Sequence, residues 1–116
     1  MKQMQQHFNI PMGLMFRKSA FEEYKGVRKG GGTRIVNLSS DASYKDTIDI
    51  GIRSFFPGKK STFGTLNSYE VEGLGTYQGQ IPEEGYNLSM LVEANGGGSK
   101  TKLYIYLTAK KVKVLN

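Results

Sequence analysis

The sequence predicts an all-β fold, or one nearly so, with five or six short antiparallel strands. Several stretches alternate apolar and polar residues with a period of two, and they are rich in β-branched and aromatic residues. Clusters of glycine, proline and asparagine separate these stretches, and the 116 residues include 15 glycines. At this length we expect one domain, residues 1–116, for which a small barrel or a compact sandwich is the simplest closure.

The N-terminal segment, residues 1–25, allows two interpretations. Ser19 and Glu22 have the spacing of a capping box, which predicts one short helix near 19–26. The competing interpretation is a first strand through Met12–Phe16. The pattern does not decide between them, so this segment is the less certain part of the domain.

Six further stretches read as strands. In the stretch Thr47–Arg53, the residues Ile48, Ile50 and Ile52 fall on one face. The stretch at 102–108 places apolar residues on one face and Tyr104 and Tyr106 on the other. Turns or loops are expected at Gly73–Gly79 and, as a hairpin loop, at Ala94–Lys100. The predicted strands are Arg34–Leu38, Thr47–Arg53, Ser68–Glu72, Tyr86–Glu93, Lys102–Thr108 and Lys111–Leu115.

The composition excludes several classes of function. Without cysteine there is no disulfide, thiolate metal site or thiol nucleophile, and His7 is the single histidine. No acid–base or nucleophile motif stands out, so we expect a non-catalytic protein with no cofactor and no metal. No apolar run approaches the ~20 residues that span a bilayer, which predicts a cytoplasmic protein with no membrane partner.

Charge is distributed unevenly along the chain. Residues 1–60 carry 11 basic and 5 acidic side chains, residues 61–99 carry 5 glutamates and no lysine or arginine, and residues 100–116 carry 5 lysines and no acid. If the two basic segments meet in the fold, one face is positive and favours a polyanion. If the charges interleave instead, they only keep the protein soluble.

The stretch from Arg53 to Phe63 combines cations, aromatic rings and a Pro-Gly turn. Single-stranded nucleic acid is bound through positive charge on its phosphates and flat rings under its bases, so this stretch predicts a binding loop. Because neighbouring residues of a strand point to opposite faces, Phe55 and Phe56 should not both be buried. The alternative is that these rings close the core and the lysines keep the loop soluble.

A second candidate surface is the outward face of the stretch at 102–108. Tyr104 and Tyr106 lie two residues apart and point the same way in a strand, beside Lys102. These rings could stack on bases, line a homodimer seam or form a layer of a barrel.

The order of these features resembles that of phage single-stranded DNA-binding proteins with an OB-type barrel. The resemblance is one of pattern and covers about two thirds of the chain, from Gly30 onward. The stretches that carry it are Gly30–Leu38, Asp41–Ile52, Ile81–Tyr86, Leu88–Val92, Thr101–Leu107 and Lys111–Leu115.

The resemblance implies an OB-like barrel that coats single-stranded DNA, with little sequence preference, during phage replication or recombination. It also implies a homodimer or larger homo-oligomer, replication or recombination proteins as partners, and the host cytoplasm as its location. The basic C-terminus lacks the acidic tail by which many members recruit partners. The positions that match the family's contacts are Arg34, Arg53, Phe55, Phe56, Lys59, Lys60, Tyr69 and Tyr77. We expect Lys100 and Lys102 to bind nucleic acid as well.

The interpretation from sequence is therefore a non-catalytic single-stranded DNA-binding protein, with RNA left open as a partner. The alternative is a structural or interaction β-module, such as a virion component or an adaptor, without a nucleic-acid function.

Overall fold

The fold of the chain, seen in a computed structural model that describes residues 6–27, 32–61 and 64–110, is mostly strands with two helices. The helices are α1 (Tyr44–Phe55) and α2 (Leu88–Asn95). The strands are β1 (His7–Arg17), β2 (Lys25–Gly26), β3 (Arg34–Ser39), β4 (Lys60–Ser61), β5 (Gly64–Thr65), β6 (Tyr69–Thr76), β7 (Gly79–Gln80) and β8 (Leu103–Ala109).

Six of these strands form one curled, open sheet, and β4 and β5 form a separate small hairpin. The sheet runs in the order β2, β1, β8, β6, β7, and β3 pairs with the same edge of β1 as β2. A bulge between Val71 and Gly73 in β6 adds twist, which helps the sheet to curl. The central pair, β1 and β8, is parallel, so the prediction of an entirely antiparallel fold is wrong at this pair.

The core lies between one face of the sheet and the helices. In β8, Leu103, Ile105 and Leu107 are buried, as the alternation predicted, and they pack beside the even-numbered side chains of β1. The sheet's core residues are Ile10, Met12, Leu14, Val36, Leu38, Leu74, Leu103, Ile105 and Leu107. Neither described helix is long and apolar enough to cross a membrane.

The stretch predicted as the strand Thr47–Arg53 is a helix, α1. Ser43 and Asp46 form a capping box: the Ser43 hydroxyl accepts from the Asp46 N–H at 3.0 Å, and the Asp46 carboxylate accepts from the Ser43 N–H at 3.3 Å. The buried positions are Thr47, Gly51 and Phe55, at a spacing of four. That period belongs to a helix face, and it replaces the expected strand.

The predicted strand Tyr86–Glu93 is also wrong, because α2 occupies most of it. Asn87 caps the helix by accepting from the Met90 N–H at 3.0 Å, and Gly96 ends it in a left-handed conformation with φ of 83°. The helix therefore takes up part of the expected hairpin loop at 94–100.

The two interpretations of the N-terminal segment are resolved in favour of a strand. Met12–Phe16 lies within β1, and the predicted helix near 19–26 is absent from these described residues. The Ser19 hydroxyl accepts from the Phe21 N–H and the Glu22 carboxylate from the Lys18 N–H. These local bonds close a turn instead of starting a helix.

The remaining strand predictions have mixed outcomes. Two predicted strands, Arg34–Leu38 and Lys102–Thr108, are confirmed as β3 and β8, with ends that differ by one residue. Ser68–Glu72 becomes the longer β6, so the turn expected over Gly73–Gly79 is reduced to the residues after Thr76. Lys111–Leu115 lies outside the described residues.

Candidate nucleic-acid interface

The residues predicted to bind nucleic acid fall into two regions at opposite ends of β6. Tyr69 is the first residue of this strand, and Tyr77 follows its last. Eight residues of extended chain rise by about 25 Å. The first region contains the end of α1 and the hairpin of β4 and β5, and the second contains the start of β8.

In the first region, Phe55 and Phe56 cannot stack on bases, which is the role that the sequence predicted for them. Both are buried, at 0% and 2% exposure, and both belong to the hydrophobic core. Because Phe55 is the last residue of a helix and Phe56 is the residue that ends it, the strand argument that one ring must be exposed does not apply. The expectation that these rings stack on bases is therefore corrected: they close the core.

The cations of the first region are dispersed. Arg53 lines a shallow cavity with Asp46 and Asp49. Arg34 reaches toward Phe55, with its guanidinium 5.7 Å from the ring centre, but its backbone belongs to the second region, because its strand partner Met12 also pairs with Leu103 at the start of β8. Lys59 and Lys60 are exposed. These side chains supply positive charge, but Arg53 has acidic neighbours.

Tyr69, the aromatic residue predicted for this region, packs against the core. Its ring lies 5.7 Å from that of Phe16 and 6.1 Å from that of Phe56. Burial raises the pKa of Tyr69 above its ordinary value. The ring is therefore engaged in packing at this end of the molecule.

The second region brings Tyr77, Lys102 and Tyr104 together on the sheet face opposite the helices. The Tyr77 and Tyr104 rings lie 5.9 Å apart, and the Lys102 ammonium is 5.2 Å from the centre of the Tyr104 ring. Lys102 also donates to the Thr33 hydroxyl at 2.9 Å. The Tyr77 side chain is 67% exposed, so one of its ring faces can be reached from solvent.

These three side chains form a ridge between two grooves. One groove, of about 320 Å³, is lined on its far side by Gly26, Val27 and Thr33. The other, of about 330 Å³, includes Lys100. A flexible chain crossing the ridge would meet two tyrosines and two lysines within one short span.

Gly13 explains how the Tyr104 ring can lie close to the sheet. The two residues are partners in the parallel pairing of β1 and β8. A Cβ atom at Gly13 would stand 2.7 Å from the Tyr104 ring, closer than side-chain contacts allow. Glycine at this position therefore gives the ring its place on the sheet.

The same face continues into a second group, in which Tyr106 meets Arg17 and Tyr24, two residues that the sequence did not indicate as part of a site. The Arg17 guanidinium lies 4.4 Å from the centre of the Tyr24 ring, and that ring meets Tyr106 edge-on at 4.7 Å. Arg17 also donates to the Thr108 hydroxyl at 2.9 Å. Tyr106 is buried, which raises its pKa, and the neighbouring Tyr24 and Tyr104 raise it further.

The sequence indicated the tyrosines of this face but not Arg17 or Tyr24. Tyr104 and Tyr106 were expected to point outward from β8, which is confirmed, although Tyr106 is covered by its neighbours. Arg17 and Tyr24 belong to the segment whose structure the sequence left undecided. The pairing of β1 with β8 places Arg17 beside Thr108, and the pairing of β2 with β1 brings the neighbouring Tyr24 to the same part of the sheet.

The described residues contain no cluster of three histidine, aspartate or glutamate side chains that could hold a metal ion. No family model matches the chain, and comparisons with curated proteins and with solved structures find no similar protein.

Proposed function

We propose that the chain is a non-catalytic protein that binds single-stranded nucleic acid, DNA in the first instance, across the ridge of Tyr77, Lys102 and Tyr104. The observation that carries the proposal is the exposed Tyr77 ring beside two lysines and two grooves. A stacking ring and nearby positive charge are what unpaired bases and their phosphates require.

The fold is compatible with this use. OB-like barrels are small, partly open curved sheets that bind oligonucleotides across one face. We propose that the outer face of this curled sheet is used in the same way. The core occupies the other face, and of the two helices α2 borders the ridge, where Leu91 and Asn95 line the groove of Lys100.

The proposal is tested by fluorescence anisotropy with labelled oligothymidine. Tyr77→Ala should weaken binding by about 1–3 kcal/mol, the value of one base stacked on an aromatic side chain. Tyr77→Phe keeps the ring and should bind as the wild type does.

Phe21→Ala is the matched control, because Phe21 is 94% exposed and lies in the turn after β1. It should leave binding unchanged. Equal affinity of the wild type and Tyr77→Ala, or equal affinity for single strands and duplex, would show that the ridge is not a single-strand site.

A further inference from the structure

A second cavity adjoins the groove of Lys100 at Leu91 and is otherwise lined by residues that the ridge does not use. It has a volume of about 260 Å³ and lies between the loop before α2 and the helix itself. Its walls are mostly apolar, with Ile81, Pro82, Tyr86, Met90 and Leu91. Small-molecule pockets usually enclose about 300–1,000 Å³, so this cavity suits one or two apolar side chains better than a larger ligand.

The walls of this cavity are held in place by hydrogen bonds. Ile81 donates its N–H to the Leu74 carbonyl at 2.9 Å, and its own carbonyl accepts from the Tyr44 hydroxyl at 3.1 Å. The Tyr86 hydroxyl lies 3.0 Å from the Thr47 hydroxyl. Because these groups are fixed before any partner arrives, little ordering would oppose binding.

Met90 stands at the rim of the cavity with 67% of its surface exposed. A methionine side chain has three rotatable bonds and a polarisable sulfur, so it adapts to different apolar partners. An exposed apolar side chain next to an apolar cavity indicates an interaction surface.

The charge around the cavity is negative. Glu83 and Glu84 are exposed in the loop, and Glu93 lies three residues after Met90 on the same helix face. Residues 61–99 contain no lysine or arginine. Leu91 lines both this cavity and the groove of Lys100, and Glu84 lines the cavity alone.

We propose that this cavity docks a segment of a partner protein that carries one or two apolar side chains flanked by lysine or arginine. The apolar side chains would enter beside Met90, and the flanking cations would face Glu83 and Glu84. Complementary charge of this kind speeds association and excludes acidic segments.

The experiment uses the full chain labelled with ¹⁵N and three synthetic hexapeptides. One has a Leu-Phe centre with two lysines at each end, the second has glutamates in place of the lysines, and the third has glycines at the centre. We expect only the first to shift the amide resonances of Ile81 and residues 83–91 in a saturable manner. Shifts of equal size with the glutamate peptide, or none with any peptide, would overturn the proposal.

Variants separate the charge from the apolar contact. Glu83→Lys with Glu84→Lys should weaken binding of the lysine peptide about tenfold or more through like-charge repulsion. Glu70→Lys with Glu72→Lys makes the same change of net charge on β6 and should leave the affinity unchanged. Met90→Lys, at an exposed position, should also abolish binding.

Two further outcomes are decisive. Concentration-dependent shifts of residues 81–91 without peptide would identify a second copy of the chain as the occupant and overturn the proposal. Lys102→Ala should leave peptide binding unchanged, so a failure here and a failure of the nucleic-acid proposal can be told apart. Loss of peptide binding in Lys102→Ala would contradict a separate site.

Discussion

At the scale of single residues, the Tyr86 hydroxyl connects the loop before α2 to α1. It lies 3.0 Å from the Thr47 hydroxyl, which donates to the Ser43 carbonyl at 2.8 Å. The Tyr86 ring also meets Tyr44 edge-on at 5.5 Å. Burial raises the pKa of Tyr86, the Thr47 hydrogen bond lowers it, and the nearby Tyr44 raises it. The net direction is upward, so folding favours the neutral phenol.

This direction predicts a loss of stability at alkaline pH. The unfolded chain ionises its tyrosines near pH ~10. Because the pKa of Tyr86 is higher in the folded state, its contribution is complete below that pH and is lost as the pH rises through the folded pKa. The pKa values of Tyr69 and Tyr106 are raised in the same direction.

Tyr86→Phe should therefore lower the free energy of unfolding by about 1 kcal/mol at neutral pH, through the lost hydrogen bond. Its stability should then fall less steeply than that of the wild type above pH ~10. Urea unfolding followed by circular dichroism at several pH values measures both effects. An equally steep alkaline loss in the variant would show that Tyr86 does not contribute to it.

At the scale of elements, α1 shows why sequence periodicity alone misassigned a helix. The three isoleucines at 48, 50 and 52 alternate, but in the helix they are only half-buried. The fully buried positions are Thr47, Gly51 and Phe55, of which two carry little apolar surface. A Cβ atom at Gly51 would stand 2.5 Å from Ile105 Cδ1, so the helix approaches the sheet closely there. The isoleucines therefore gave the stronger apolar pattern, which has the period of a strand. The buried residues instead follow the spacing of four that is typical of a helix face.

The helix can be tested through its cap. Ser43→Ala removes the hydroxyl that accepts from the Asp46 N–H, so the free energy of unfolding should fall by about 1 kcal/mol. Ser54→Ala, inside the same helix, is the matched control and should keep or slightly raise stability because alanine has the higher helix propensity. Urea denaturation with an unchanged slope measures the difference. A neutral Ser43→Ala would argue against a helix that begins at this residue.

The candidate site was predictable only where it depends on local pattern. Alternation in β8 placed Tyr104 outward beside Lys102, and Tyr77 was named only through the family resemblance. The contact of Arg17 with Thr108, beside Tyr106, depends on the parallel pairing of β1 with β8, between residues about 90 positions apart. No local pattern in the sequence contains that pairing. Phe55 and Phe56 were expected to bind bases because the segment before them was predicted to be a strand, whereas it is the helix α1.

At the scale of the whole molecule, the glutamates and the lysines lie in different parts of the surface. The net charge is +6, yet Glu84 lines the cavity beside α2 with Glu83 next to it in the chain, while the ridge has Lys100 and Lys102. Lys59 and Lys60 lie at the other end of β6. A polyanion attracted by the net charge alone would use all four lysines equally, whereas one bound at the ridge would depend on two of them.

The salt dependence of oligothymidine binding distinguishes these possibilities. Each phosphate neutralised on a single strand contributes about −0.7 to the slope of log affinity against log salt concentration. Lys100→Ala with Lys102→Ala should therefore flatten the slope by about 1.4. Lys59→Ala with Lys60→Ala removes the same charge from exposed positions and should leave the slope of a short oligonucleotide unchanged. Equal flattening by both pairs would indicate diffuse attraction to the whole surface, and flattening by the second pair alone would move the site to the end of α1.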